Sequence, residues 1–168
     1  MHTFVEQSYR CDLAPDDWPP VIRLGAASIQ LSNKFGPAAN QMARDLYRAA
    51  REGCPSTDVW CQETAVWSAS RRYAGRVDMV GFWHGVPSII DFKTSTKPKR
   101  EEWITDYYLQ PTAYALAHDE LFGSDIQQVV ILITCASGEV QTFTSDVRPW
   151  VSQLDDRLRA FYALPAAA

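Results

Sequence analysis

The sequence predicts an α/β domain with a mixed sheet, and three observations carry that prediction. Two separated segments, about residues 37–52 and 149–163, space their apolar residues as amphipathic helices do. Three strand-like runs follow one another between residues 59 and 94, divided by short polar turns. A further run, Ile126 to Ala136, is so rich in Val and Ile that it fits a strand buried on both faces. The 168 residues, 46% apolar and 21% charged, suit one domain with a sizeable core. They exclude wholesale disorder and collagen-like repeats.

Taken in order, residues 1–35 read as an irregular segment punctuated by Pro15, Pro19 and Pro20. Pro37 suits the first turn of a helix reaching about Glu52, with Met42, Leu46, Ala49 and Ala50 as its apolar stripe. Gly53 and Pro55 stop it. Strands are expected over Val59 to Ser68, Tyr73 to Trp83 and Val86 to Thr94, closed by the basic stretch Ser95 to Arg100. A helix with an acidic first turn covers about Glu101 to His118, with Pro111 as a kink. After the Ile126 to Ala136 strand, Ser137-Gly138 turns into an edge strand, Glu139 to Thr144. The last helix spans about Pro149 to Ala163, with Trp150, Val151, Leu154, Leu158 and Phe161 on one side. The tail, 165–168, is expected to fray. The whole chain, 1–168, reads as a single domain.

Charge is distributed unevenly. The formal net charge is -4, but residues 1–100 hold 13 basic against 10 acidic residues and residues 101–168 hold 3 against 10. The basic clusters are Arg71, Arg72 and Arg76, and Lys97, Lys99 and Arg100; such clusters are solvated surface or nucleic-acid contacts. Of four cysteines, Cys11, Cys54, Cys61 and Cys135, no two have C-x-x-C spacing, which argues against a zinc knuckle or a thioredoxin-like site. No apolar run approaches the roughly 20 residues of a membrane span, and Met1 to Asp12 lacks the pattern of a secretory signal. The expectation is a cytoplasmic protein without membrane partners.

Chemistry concentrates on the middle hairpin. Asp91 and Lys93 are two apart on a strand and share a face, while Ile90 and Phe92 point into apolar packing. If His84-Gly85 is a two-residue turn, Trp83 faces Val86 and Asp78 faces Asp91. Opposed carboxylates repel unless a cation lies between them. Lys93 neutralises one; a divalent metal neutralises both, and oxygen-only ligation suits Mg²⁺ or Mn²⁺. A turn centred on Ser70-Arg71 sets Glu63 opposite Asp78; Glu63 then joins the acidic patch or is an exposed strand residue paired with an arginine. On the following helix Gln110 and Tyr114 share a face, which Trp103 and Tyr107 extend.

Gly75-Arg76-Val77-Asp78, Ile89-Ile90-Asp91-Phe92-Lys93-Thr94-Ser95 and Gln110-Pro111-Thr112-Ala113-Tyr114 together resemble the PD-(D/E)XK nuclease superfamily. Within it the sequence is most similar to the RecB-type branch, with its glutamine-to-tyrosine motif, and there to mitochondrial genome maintenance exonucleases and small phage or bacterial relatives. These share the Asp-hydrophobic-Lys-Thr-Ser run and a Lys-Pro-Lys stretch, here Lys97-Pro98-Lys99. The resemblance implies a restriction-endonuclease-like αβββαβ core. It implies that Asp78, Asp91 and the Phe92 carbonyl bind catalytic Mg²⁺, that Lys93 orients water or stabilises phosphate charge, and that Gln110 and Tyr114 support the site. Many relatives carry a metal-binding histidine on the first helix. Here the matching position is Asn40, so either Asn40 lends an oxygen or a second metal is held differently, with Glu63 as a candidate. Some relatives bind an iron–sulfur cluster through C-terminal cysteines; these are missing here and no cluster is expected.

The implied activity is hydrolysis of DNA phosphodiesters by an exonuclease acting on single strands or free ends in replication, repair or recombination, with proteins of those processes as partners. The implied setting is a bacterial or phage-infected cytoplasm. Arg71, Arg72, Arg76, Lys97, Lys99 and Arg100 are the candidate DNA contacts. Trp67, Trp83, Trp103 and Tyr107 either stack on bases or belong to the core. The alternative is a catalytically weak or inactive nucleic-acid-binding module of the same fold. No G-x-S-x-G, P-loop or H-E-x-x-H pattern favours another hydrolase.

Overall fold

A computed structural model of the chain describes residues 21–24, 27–30 and 36–164, with side chains from Gln41 onward except Ser56. Two short strands, β1 (Val21–Leu24) and β2 (Ala27–Gln30), pair antiparallel from Val21↔Gln30 to Leu24↔Ala27. The expected irregular segment is therefore corrected over these residues: β-branched Val21, Ile22 and Ile29 favour extended pairing despite the prolines upstream. The rest of 1–35 and the tail 165–168 lie outside the described residues.

The helix α1 spans Gly36–Gly53, and β3 (Val59–Ser68), β4 (Tyr73–Trp83) and β5 (Val86–Ser95) follow as expected. The next helix differs from expectation. Glu101–Trp103 form a 3₁₀ turn, and α2 runs Thr105–Phe122. It ends where Gly123 takes a φ of 65° and donates its N–H to the Asp119 carbonyl at 2.8 Å, a left-handed glycine cap. Then come β6 (Gln128–Cys135), β7 (Val140–Asp146) and α3 (Arg148–Tyr162).

The five longer strands form one sheet in the order β3-β4-β5-β6-β7, antiparallel except for the parallel β5–β6 pair. α2 is the crossover that a parallel connection needs. Each face of the sheet has its own core. On one, Leu46, Tyr47, Ala50 and Cys54 pack with Met79, Trp83, Ile90, Phe92, Val130 and Leu132. On the other, Ile104, Tyr108, Ala115 and Ala117 pack with Val66, Val77, Val80, Ile89 and Ile131. β6, between β5 and β7, is buried from Val129 to Cys135, which explains its unbroken apolar run. In α3, Leu154 is buried, but Phe161 at the helix end is exposed. No helix among the described residues is long and apolar enough to cross a membrane.

Candidate active site

The site is built on the β4–β5 hairpin. His84 and Gly85 turn it with φ values of 48° and 82°, both positive as a tight two-residue hairpin turn requires. Pairing then runs from Trp83↔Val86 to Met79↔Ile90. One further step would pair Asp78 with Asp91, and there the ladder stops. The Asp78 carboxylate instead accepts the Phe92 backbone N–H at 2.9 Å. A side chain takes a place that a strand carbonyl would hold in a regular ladder.

The β3–β4 hairpin is interrupted at the same level. Pairing runs from Ser68↔Tyr73 to Thr64↔Val77 and resumes at Gln62↔Met79, leaving Glu63 facing Asp78 outside the ladder. Glu63 has a φ of 48°, in the left-handed region that a glutamate seldom adopts. The packing changes phase here. Val77 and Val80, three apart, share the α2-side core, while Met79 between them joins the α1-side core. A regular strand would put Val77 and Met79 on the same face. On β3, Val66 packs toward α2, whereas Gln62 reaches Met79 on the other side. The register is kept across the gap, so it is the backbone irregularity at Glu63 and Asp78 that changes which face the side chains on either side take.

Asp91 is 1% exposed, and its Oδ2 lies 2.6 Å from Lys93 Nζ. Lys93 also donates to Gln110 Oε1 at 3.0 Å, and Gln110 Nε2 donates to Tyr114 Oη at 2.8 Å. Tyr114 lies against Gly75, whose missing side chain leaves room for the ring. A continuous polar chain thus joins β5 to α2. The structure brings Asp78, Asp91, Lys93, Gln110 and Tyr114 together around the stopped ladder.

The other sequence candidates lie as follows. Glu63 faces Asp78 in register, but its carboxylate pairs with Arg76, whose Nε also donates to the Glu63 carbonyl at 3.2 Å. Asn40 belongs to α1 by its backbone, and its side chain is outside those described. Arg71 pairs with Asp155 at 3.0 Å, and the Arg72 guanidinium lies 4.1 Å from the centre of the Tyr162 ring. Lys97 is exposed. The backbone of Lys99 is clamped by Gln141, and Arg100 lies over Trp103. Trp83 is core, whereas Trp67 and Trp103 are exposed.

Two supports gave no local sequence signal. Gln141, on the edge strand, accepts the Lys99 N–H at 2.7 Å and donates to its carbonyl at 3.0 Å. Glu120, at the end of α2, accepts four hydrogen bonds from the β3–β4 turn: the hydroxyls of Ser68 and Ser70 and the amides of Ala69 and Ser70. The Ser68 hydroxyl first, then these other donors, pulls the carboxyl down to about 2. The thiol of Cys54 is pushed up to about 12, chiefly by burial, and is a packing group rather than a nucleophile.

The Asp78 and Asp91 carboxylates and the Phe92 carbonyl are hard oxygen donors, a chemistry that suits Mg²⁺ or Mn²⁺. Among the described residues no three His, Cys, Asp or Glu side chains converge.

Fold and site define a class: an α/β domain whose interrupted central hairpin presents an acid–acid–lysine centre beneath a helix. The chain belongs to the PD-(D/E)XK nuclease superfamily, whose family model matches residues 2–162. No curated protein matches it significantly. The mixed five-stranded sheet flanked by helices agrees with the restriction-endonuclease-like fold of that superfamily. Its members are typically phosphodiesterases acting on nucleic acids, and they generally use divalent metals such as Mg²⁺.

Proposed function

We propose that the protein is a Mg²⁺- or Mn²⁺-dependent deoxyribonuclease of the RecB-type branch, an exonuclease acting on single-stranded DNA or DNA ends. The observation that carries this reading is the convergence of Asp78, Asp91 and Lys93 where the β4–β5 ladder stops. Asp78, Asp91 and the Phe92 carbonyl are the proposed metal donors. A bound divalent metal would lower the pKa of a water and offset charge on the scissile phosphate.

The chain's own groups do the rest. Asp91 and Gln110 hold the Lys93 ammonium from two sides, so its remaining N–H points where phosphate charge develops. Lys93 acts as a positioned cation beside the two carboxylates. Tyr114 fixes the Gln110 amide and so the aim of Lys93. Phe92 N–H holds the Asp78 carboxylate in one rotamer before substrate arrives. Asn40 and Glu63 are the remaining candidates for a wider metal shell; if position 40 faces the metals, Asn40→His lowers the Mn²⁺ concentration for half-maximal rate, and an unchanged concentration puts Asn40 outside the site.

The test is digestion of end-labelled single- and double-stranded DNA, linear and circular, with Mg²⁺ or Mn²⁺. Asp91→Asn and Lys93→Ala are expected to abolish cleavage in folded protein. Wild-type rates in either variant would overturn the assignment. Binding without cleavage by the wild type would point to an inactive binding module.

A further inference from the structure

The loop between β5 and α2 connects the strand that carries Lys93 to the helix that carries Gln110. It is fixed at several points. The Ser95 hydroxyl donates to the Lys97 carbonyl at 2.6 Å, and the Gln141 amide brackets the Lys99 backbone. The Trp103 N–H donates to the Arg100 carbonyl at 3.0 Å, which brings these two residues together. The loop presents Trp103, 62% exposed, with the Arg100 guanidinium 5.1 Å from its ring centre. An indole so exposed contributes little to the core. Its display on a pinned backbone, with a cation beside it, needs another explanation.

The position suggests one. Trp103 ends the 3₁₀ turn just ahead of α2, seven residues before Gln110 in the chain. Gln110 in turn touches Lys93. Tyr107, half-buried, lies between them on the helix face shared with Gln110 and Tyr114. An unpaired base has a π-face that stacks on an aromatic side chain whatever its sequence, and a neighbouring arginine adds cation–π and phosphate attraction. Paired bases within a duplex offer no such face. Glu102 lies 3.7 Å from Arg100, but both are widely exposed, and pairs of this kind are weak enough for a phosphate to displace.

We propose that Trp103 and Arg100 form a stacking seat for an unpaired base of single-stranded DNA leading into the Asp78–Asp91–Lys93 site. The proposal rests on the nuclease reading above and names the residues that hold its substrate.

The experiment measures binding of fluorescein-labelled oligo(dT), and of a blunt duplex of equal length, to the full chain with Ca²⁺ in place of Mg²⁺. Trp103→Ala is expected to weaken oligo(dT) binding by about 5- to 100-fold, with Trp103→Tyr restoring most of it. Duplex binding should change far less. Arg100→Ala should also reduce the salt dependence of binding by about one phosphate contact. An abasic residue scanned along the oligonucleotide should weaken wild-type binding at one position and leave Trp103→Ala insensitive there. Binding by Trp103→Ala within twofold of wild type, or equal losses on single strand and duplex, overturns the stacking seat. If those results accompany wild-type cleavage with Mg²⁺ or Mn²⁺, the nuclease reading stands without it. If the wild type neither binds nor cleaves any DNA, both fall.

Discussion

Gly75 lies directly beneath the Tyr114 ring: a Cβ added at Gly75 would sit 2.4 Å from Tyr114 Cε1. Real Cβ atoms do not approach carbon so closely, so any side chain there must push the ring away. Tyr114 holds Gln110, and Gln110 holds Lys93. Gly75→Ala is therefore expected to displace the polar chain that aims Lys93. Overpacking of this kind costs about 1–3 kcal/mol of stability. Cleavage should fall well beyond what that loss explains. Adding Tyr114→Ala removes the clash but should not restore activity. Thermal unfolding and a DNA cleavage assay check both, and a fully active Gly75→Ala would show that the ring contact does not set the site.

The metal site proposed at Asp78 and Asp91 predicts that stability responds to metal. Lys93 contacts Asp91, and Phe92 N–H contacts Asp78, but a divalent ion would meet both carboxylates at once. A ligand that binds only the folded state stabilises it by about 2.7 kcal/mol at 100 times its dissociation constant. Mg²⁺ or Mn²⁺ should therefore raise the melting temperature of the wild type, and Asp78→Asn should blunt the response. The measurement is a thermal scan over millimolar metal. A flat wild-type response would argue against a metal site at these acids.

Glu120 gives a pH prediction with a fixed sign. Its carboxyl is held at about 2 against an ordinary 4.5, by the hydroxyls and amides of the β3–β4 turn. The ionised form is favoured in the folded state. Its stabilising effect is complete above the unfolded value and is lost as pH falls from about 4.5 through about 2. Glu120→Gln should be less stable than wild type near neutral pH, and the gap should close as pH falls through that window. Urea unfolding from neutral pH downward measures it. A gap that is constant with pH would mean that the carboxylate charge contributes nothing.

Periodicity and turn chemistry made much of this legible in advance. Alternation and the His84-Gly85 turn predict the β4–β5 register from Trp83↔Val86 to Met79↔Ile90, and the ladder stops one step short of the expected Asp78–Asp91 pair. The phase change at Glu63 and Asp78 was not legible. The β3–β4 register is the same on both sides, so the change lies in the backbone at Glu63, and nothing in the local sequence marks a glutamate for a positive φ. Glu101-Glu102 resembles the acidic first turn of an α-helix, but these residues form a 3₁₀ turn and α2 starts at Thr105. The hold of Gln141 on Lys99 joins residues far apart in the chain, and neither segment announces it.

Glu63 supplies the last prediction. Its φ of 48° is a strained conformation for a residue with a Cβ, costing about 1–3 kcal/mol, and glycine adopts it freely. The Glu63–Arg76 pair offsets little of that strain, because the Arg76 side chain is 67% exposed. Glu63→Gly should therefore unfold no earlier than wild type, whereas Glu63→Val, β-branched at a positive φ, should unfold markedly earlier. Activity separates the two roles open to the carboxylate. Held by Arg76, it is expected to leave the Mn²⁺ concentration for half-maximal cleavage unchanged when removed. A several-fold rise in that concentration for Glu63→Gly, at undiminished stability, would instead place Glu63 with Asp78 and Asp91 among the metal ligands. The strained backbone would then be what turns the side chain toward them.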